Sequence, residues 1–381
     1  MHNKTIKKTL MTLLFIILCF TLSGCWNYRS LSDLTIVMGM TIDKDATGYK
    51  LSYEIIDFSK TSKQTGVKTL IIEANGKTIF EADRNAKKRI ADKLYYGNME
   101  VLIISNKVAT EDGLSPILDW FLRNGESRET LQIAISQDEK AADILKSKSM
   151  TNSITSMDVK QILYGDKKIS ASTRSMTIHE AYSTLRSEGL NLVLPALHTV
   201  TNNEEKTPEV NGVAVFKKDK LVGYLTPEET FYYLFVMDEI KGGALSLNIN
   251  SLNKKTVSLN IAENKTKKSY TIEGDKVKVK LKINTTVSLE ELETSIDVSK
   301  DIGVDKIESF ANKALIQGIK NTVKKVQTDF DSDIFGFGNM IYKKDYKTWY
   351  KLKEMNWGIT FKKIELDIEP KVVISNTEYI Q

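Results

Sequence analysis

Lys276-Val-Lys-Val-Lys-Leu-Lys-Ile-Asn-Thr-Thr-Val-Ser-Leu289 alternates polar and apolar side chains almost without a break. Successive side chains of a strand point to opposite faces, so this stretch predicts a strand with Val277, Val279, Leu281 and Ile283 on one face. Lys276, Lys278, Lys280 and Lys282 occupy the other, and read as the solvated face of an antiparallel sheet before they read as a binding surface. Upstream the same period recurs at Leu245, Leu247 and Ile249 and at Val257, Leu259 and Ile261, which makes three strands between Ala244 and Leu289. Downstream, Ile307, Phe310, Ala314, Ile319, Val323 and Val326 fall near helical spacing and predict a long helix packed along that sheet. The aromatic segment that follows, Phe330, Phe335, Phe337, Tyr342, Tyr346, Trp349, Tyr350 and Trp357, reads as packing of large rings between loop and sheet rather than as a binding cage. Ile364 to Val373 alternates again as a final strand.

Toward the amino terminus the period changes repeatedly. Leu34 to Ile42 and Tyr49 to Ile56 predict a hairpin turning at Asp45-Ala-Thr-Gly48, and Thr69 to Ala74 a further strand. Ile79, Ala82, Ala86, Ile90 and Leu94 then recur at three or four, the inner stripe of a helix. Strand-like Met99 to Ile104 and Thr130 to Ile135 alternate with helical Ile117 to Arg123 and Glu139 to Lys146. Helices near Ser156 to Tyr164 and Ile178 to Ser187 precede an apolar stretch at Leu190 to Leu197. Val200 to Glu209 is polar, contains a proline and has no apolar period, and is expected to be a linker. Beyond it, Val210 to Phe216 and Lys220 to Tyr224 predict a hairpin. Thr226-Pro227-Glu228-Glu229 then supplies a cap, a first-turn proline and a capping-box glutamate for a helix through Phe231 to Met237, stopping at Gly242-Gly243. The fold class is α+β and multi-domain. Residues 1–24 form an export signal, 25–199 a mixed α/β domain, 200–209 the linker, 210–243 a small hairpin-helix subdomain, and 244–381 an antiparallel-sheet domain packed by a long helix.

The first segment departs from this pattern. Lys4, Lys7 and Lys8 precede thirteen residues, Leu10 to Leu22, that are apolar but for Thr12 and Thr21. A helix spanning a hydrocarbon core of about 30 Å needs roughly 20 such residues, so the segment reads as a cleaved signal and not as an anchor. Leu22-Ser23-Gly24-Cys25 follows and resembles a bacterial lipobox. In that resemblance cleavage falls between Gly24 and Cys25, and the Cys25 sulfur carries a diacylglyceryl group, so the membrane lipid holds the chain through its acylated first residue. Cys19 leaves with the signal, and no disulfide is expected in the mature chain. Two or three acyl chains anchor stably where one does not.

The 381 residues carry 54 Lys+Arg and 49 Asp+Glu, a formal net charge of +5, with 41% hydrophobic residues, 5 Pro and 20 Gly. That is neither a disordered composition nor a nucleic-acid binder's charge, and the length suits two or three domains. Loss of residues 1–24 leaves 51 basic against 49 acidic residues, a surplus of +2, from which charge is not expected to hold the mature chain to anionic lipid.

Candidate chemistry is sparse. His179-Glu180 begins like a zinc-protease helix, but position 183 is Ser where the second imidazole belongs. Asn75-Gly76-Lys77-Thr78 ends like a phosphate loop, but Ile71 stands where its first glycine belongs, and Gly336-Phe-Gly338 lacks the third glycine of a dinucleotide fingerprint. Acidic residues are many and no spacing singles out a pair. No catalytic residue, metal site or cofactor is assigned.

Three stretches together resemble the C-subunit lipoproteins of Ger-type spore germinant receptors, the Ger(x)C family. They are Gly24-Cys25-Trp26-Asn27 with Leu31 to Asp43; Gly212 to Tyr224 with Thr226-Pro-Glu-Glu229; and Asp333-Ile-Phe-Gly-Phe-Gly338 with Trp349 and Trp357. The resemblance implies a non-catalytic, lipid-anchored subunit on the outer face of the spore inner membrane, working with A- and B-type integral membrane subunits and with no nucleic acid. A solute-binding lipoprotein of a transporter would instead show two similar lobes of repeated β-α units around a cleft, and an anchored wall hydrolase a catalytic constellation.

Overall fold

The computed structural model describes residues 2–21, 33–64, 66–123, 125–250, 255–274, 276–292 and 301–376. Leu34–Asp45 (β1) and Gly48–Ile56 (β2) form the expected antiparallel hairpin. Its turn is closed by the Asp45 carboxylate, which accepts from the backbone N–H and the hydroxyl of Thr47 at 2.7 and 2.6 Å. Thr69–Gly76 (β3) pairs with the outer side of β2.

Ile79–Ala86 (α2) is capped by Thr78, whose hydroxyl accepts from the Glu81 N–H. The apolar stripe predicted a helix reaching Leu94, but the helix stops at Ala86, passes through a 3-10 turn at Lys87–Arg89, and Leu94 lies in Lys93–Tyr95 (β4), paired parallel with β1. Leu94 is fully buried in the same core as Ile79, Ala82 and Ala86. The stripe recorded burial, which helix and strand both supply.

Val101–Ser105 (β5), Gln132–Ser136 (β6) and Val193–Asn202 (β7) run parallel to β1 through the middle of the sheet. Every residue of β5 and β6 is buried, as expected of parallel strands covered on both faces. One face packs against α2, Asn106–Glu111 (α3), Ser115–Arg123 (α4) and, further along the chain, Ile178–Leu185 (α7). The other packs against Ala142–Lys146 (α5) and Thr155–Ile169 (α6).

The 200–209 stretch is not a linker. β7 and Glu205–Lys217 (β8) form one long antiparallel hairpin turning at Asn203-Glu204, with Val200 opposite Thr207. Its tip is exposed, so the polarity that suggested a flexible connection is that of a solvated hairpin end. Lys220–Leu225 (β9) adds beside β8, and the nine strands follow the order β3-β2-β1-β5-β6-β7-β8-β9, with β4 on β1. The first sheet therefore continues to Leu225 and absorbs the hairpin expected in a separate 210–243 subdomain.

Pro227–Met237 (α8) carries the expected capping box of Thr226 and Glu229 and stops at Asp238 in the left-handed region, ahead of Gly242-Gly243. Ala244–Asn250 (β10), Lys255–Glu273 (β11) and Lys276–Leu292 (β12) make the expected antiparallel strands. Asp301–Lys325 (α9), Phe337–Lys344 (α10), Tyr346–Glu354 (α11) and Trp357–Lys362 (α12) lead to Glu365–Asn376 (β13), which pairs with β12 in parallel. The second sheet is thus mixed rather than purely antiparallel, because a long helical crossover returns the chain in the direction it left.

Val277, Val279, Leu281 and Ile283 face inward, with Ile307, Ala311, Leu315, Ile319 and Val323 of α9 laid along the same core. α8 crosses α9 closely: a Cβ on Gly318 would lie 2.1 Å from Cζ of Tyr232. That core also takes in Val193, Val213, Val215 and Leu225 from β7 to β9. The two sheets share one apolar interior.

Candidate functional site at the junction of the two sheets

The loop between α9 and α10 is held where both sheets, α8 and the closing helices meet. Its order begins with Asp333, a fully buried carboxylate that accepts from the backbone N–H of Phe337 at 3.2 Å and of Gly338 at 2.8 Å, fixing the start of α10. Ile334, Phe335 and Phe337 are fully buried. Phe335 stacks on Phe337 with ring centroids 5.4 Å apart and meets Tyr233 of α8 at 5.8 Å, while Phe337 reaches Phe361 of α12 at 6.4 Å.

The first sheet grips this loop through backbone. Asn191 N–H donates to the Asp333 carbonyl at 2.8 Å, Asn339 N–H to the Gly189 carbonyl at 2.8 Å, and the Ser332 hydroxyl to the Phe216 carbonyl at 2.5 Å. The approach is too close for side chains. A Cβ on Gly338 would lie 2.6 Å from Cζ3 of Trp349, and one on Gly189, already at φ +66°, would lie 2.4 Å from the Gly338 carbonyl carbon. Gly336 takes φ +68° at the turn into α10. The Gly-Phe-Gly spacing therefore serves a tight turn and a contact between backbones, which accounts for its failure as a nucleotide fingerprint.

Buried charge surrounds the loop. The Lys268 ammonium of β11 donates to the Phe335 carbonyl at 3.0 Å. Burial lowers its pKa, with the Asp333 carboxylate first among the charges opposing that fall. Burial likewise pushes the Asp333 carboxyl up to about 6, against the lowering pull of the Gly338 and Phe337 N–H groups and of Lys268. Beside them Arg174 forks onto Glu239 with bonds of 2.6 and 2.7 Å and donates to the Tyr233 hydroxyl at 3.4 Å. These groups are committed to one another and to backbone carbonyls, so the arrangement fixes the orientation of one sheet against the other; it presents no nucleophile with a base.

On the outer side a cleft of about 460 Å³ runs between the 185–192 segment and α11 and α12, floored by Trp349 and Trp357. Trp349 Nε1–H donates to Glu188 at 3.3 Å, and Lys353 reaches the same carboxylate at 2.7 Å.

Sequence reasoning singled out the aromatic loop but neither Arg174 nor Lys268. A signal for Lys268 exists. The inward residues of β11 are odd-numbered at Val257, Leu259 and Ile261 and even-numbered at Thr266, Lys268, Tyr270 and Ile272, because the register slips at a bulge between Ile261 and Glu263. A switch of apolar parity within one strand implies such a bulge.

His179 is exposed at the second position of α7, behind a capping box of Thr177 and Glu180, and His198 of β7 lies 3.4 Å from Glu209. Among the described residues no three His, Cys, Asp or Glu side chains gather as a metal site. The stretch expected to be a lipobox, Leu22, Ser23, Gly24 and Cys25, lies outside the described residues. His2–Thr21 (α1) precedes it, and among the described residues no helix is long and apolar enough to cross a membrane.

Two family models match in tandem: the spore germination protein N-terminal domain over residues 27–199, and the spore germination B3/GerAC-like C-terminal domain over 211–378. The chain is 25% identical over 397 residues to spore germination protein KC of Bacillus subtilis (strain 168), covering 98% of this chain and 96% of that protein. It is 25% identical over 377 residues to spore germination protein B3 of the same organism, covering 92% and 94%. The crystal structure of the GerBC protein superposes with a TM-score of 0.59 at 20% identity, covering 89% of this chain and 97% of that one.

Proposed function

Because the chain belongs to the Ger(x)C family of spore germination proteins, we propose that it is the lipid-anchored, non-catalytic C subunit of a nutrient germinant receptor. The observation that carries this reading is the pair of family models matched in order over residues 27–199 and 211–378, directly after a lipobox ending at Cys25. In this reading the diacylglyceryl group on Cys25 tethers the protein to the outer face of the spore inner membrane, where it meets the A- and B-type integral membrane subunits. Tethering confines all partners to one surface, so a weak interface suffices.

In this reading, ligand arrival at the membrane subunits is relayed through contacts with this body, and the junction gives that relay a physical form. A contact on either sheet is passed to the other through shared apolar core, abutting glycine backbone and buried charge, so the body turns as a unit and does not damp a displacement in a hinge. The two sheets, nine strands and four, are unlike one another, which disfavours a transporter's solute-binding lipoprotein with its paired lobes.

Deletion of the gene followed by germination assays with sugars and amino acids tests the receptor role; the expected outcome is loss of response to at least one nutrient, restored by the intact gene. Responses unchanged to every nutrient, in a strain lacking related receptors, would reject it. Restoration by a Cys25→Ala gene whose product remains at the membrane would reject the anchor alone.

A further inference from the structure

The closing helices present a surface that the junction does not use. Between Tyr342 and Lys363 the chain carries seven lysines against two acids, Asp345 and Glu354, although the mature protein as a whole is close to neutral. α11 buries Trp349 and Leu352 and turns Tyr346 and Tyr350, one helical turn apart, to solvent at 58% and 46% exposure, beside Lys347 and Lys351 at the same spacing. Met355, at its end, and Ile359 of α12 are 54% and 52% exposed. Lys353 and Lys362 pair with Glu188 and Asp331, but Lys343, Lys344, Lys347 and Lys363 are exposed with no carboxylate partner among the described residues.

Exposed tyrosines and aliphatic side chains among exposed lysines, four of them without a carboxylate partner among the described residues, are the composition of a helix that lies in a membrane interface. The apolar tips enter the headgroup boundary, the phenols stay at its level, and the lysine stems extend toward lipid phosphate. We propose that the α11–α12 face docks the body onto an anionic lipid surface. The occupant is lipid rather than an acidic protein segment because lysine, a compact and flexible charge, is the only cation in the patch; arginine, which forks onto carboxylates, is absent from it. A net charge of +2 was too small to hold the chain to such a surface, and the clustering of that charge on one face removes the objection. The proposal deepens the membrane reading above and rests on it for its place in the cell, but it does not require the lipid on Cys25.

That independence sets the experiment. Among the described residues none before Ile36 belongs to an apolar core, so a chain lacking residues 1–24, with Cys25→Ala, retains every described core residue. Its sedimentation is measured with phosphatidylcholine vesicles and with vesicles that also contain phosphatidylglycerol. Binding is expected only to the anionic vesicles, weakening as salt shortens a Debye length of about 10 Å at 0.1 M. At about fivefold per lysine, Lys343→Glu, Lys347→Glu and Lys351→Glu together reduce it at least about a hundredfold. Tyr350→Ser with Ile359→Ser reduces it about tenfold, through lost apolar burial. All five positions are exposed, and an unchanged melting temperature checks the fold.

No binding by the parent, or binding that the lysine reversals leave intact, overturns the proposal. So does binding indifferent to the serine pair, which would be electrostatic adsorption without docking. Capture of a companion subunit's acidic segment, abolished by the same lysine changes in the absence of vesicle binding, would put protein in place of lipid. None of these outcomes bears on whether Cys25 is acylated.

Discussion

Asp43 and Glu54 in the first sheet and Asp333 at the junction are all buried carboxylates that accept from backbone N–H groups at the start of a helix, yet they close very different lengths of chain. Asp43 reaches the N–H groups of Ala141 and Ala142 at 2.7 and 3.0 Å. Glu54 accepts from Thr155 and Ser156 N–H at 2.9 and 2.8 Å and from the Ser156 hydroxyl. Asp333 closes only onto Phe337 and Gly338, and a lysine from another strand supplies the long reach. The first sheet is thus bound to its helices by single side chains that span nearly a hundred residues or more. The junction instead relies on a compact local loop packed against its neighbours. Two helix starts on the first sheet are each fixed by one distant carboxylate beside the apolar packing, whereas the junction is held by packing, backbone contact and charge with no such single acceptor.

Glu54→Ala is the sharpest way to break the comparison. It strands four donors, the three buried groups of Thr155 and Ser156 and the Thr69 hydroxyl at 3.1 Å, and loss of about 4 kcal/mol is expected in denaturant unfolding. A loss near 1 kcal/mol would mean that the long-range acceptor carries no more than a surface bond.

The junction is expected to respond to pH instead. The Asp333 carboxyl titrates near 6 when folded, against 3.8 as the ordinary value, so its proton is held more tightly by the folded chain. Its contribution is fully present below 3.8 and is lost as pH rises to about 6, a total of about 3 kcal/mol at 1.36 kcal/mol per unit. Asp333→Asn keeps an acceptor without the titration, so it should gain on the parent between pH 4 and 6 by up to about that amount and run parallel above. Parallel curves across the whole range would show that folding leaves the proton affinity of the carboxyl unchanged.

The smallest expected effect is Gly338→Ala. One methyl pressed against Trp349 and the Gly189 backbone costs about 2 kcal/mol by overpacking, and a shift in indole fluorescence should accompany it. An unaltered melting temperature would mean that the two backbones are not in contact.

Much of this architecture is legible from residues alone. The second sheet announces itself because one face is buried and one solvated, so Lys276 to Ile283 alternate strictly. The capping box at Thr226 needs only four adjacent residues. Where reading failed, distance or ambiguity was the cause. Leu94 is buried by strand pairing as well as it would be by a helix, and the 200–209 hairpin tip is polar because water surrounds it. Asp43 and Glu54 look like ordinary strand acids until the helices that arrive far downstream present their unpaired N–H groups. At the junction the motif Asp333 to Gly338 could be marked as important without its partners, since Arg174 and Lys268 come from separate elements.

The slipped register within β11 has a consequence for how this chain can vary. Adding or deleting one residue between Ile261 and Glu263 would rotate the whole distal ribbon by half a turn, expelling Tyr270 and Ile272 and withdrawing the ammonium from the aromatic loop. Length changes at the Gly274 tip would leave those positions where they are. Related chains should therefore tolerate gaps at the tip and almost none at the slip, and a relative that straightens this strand should have lost its buried cation in the same step.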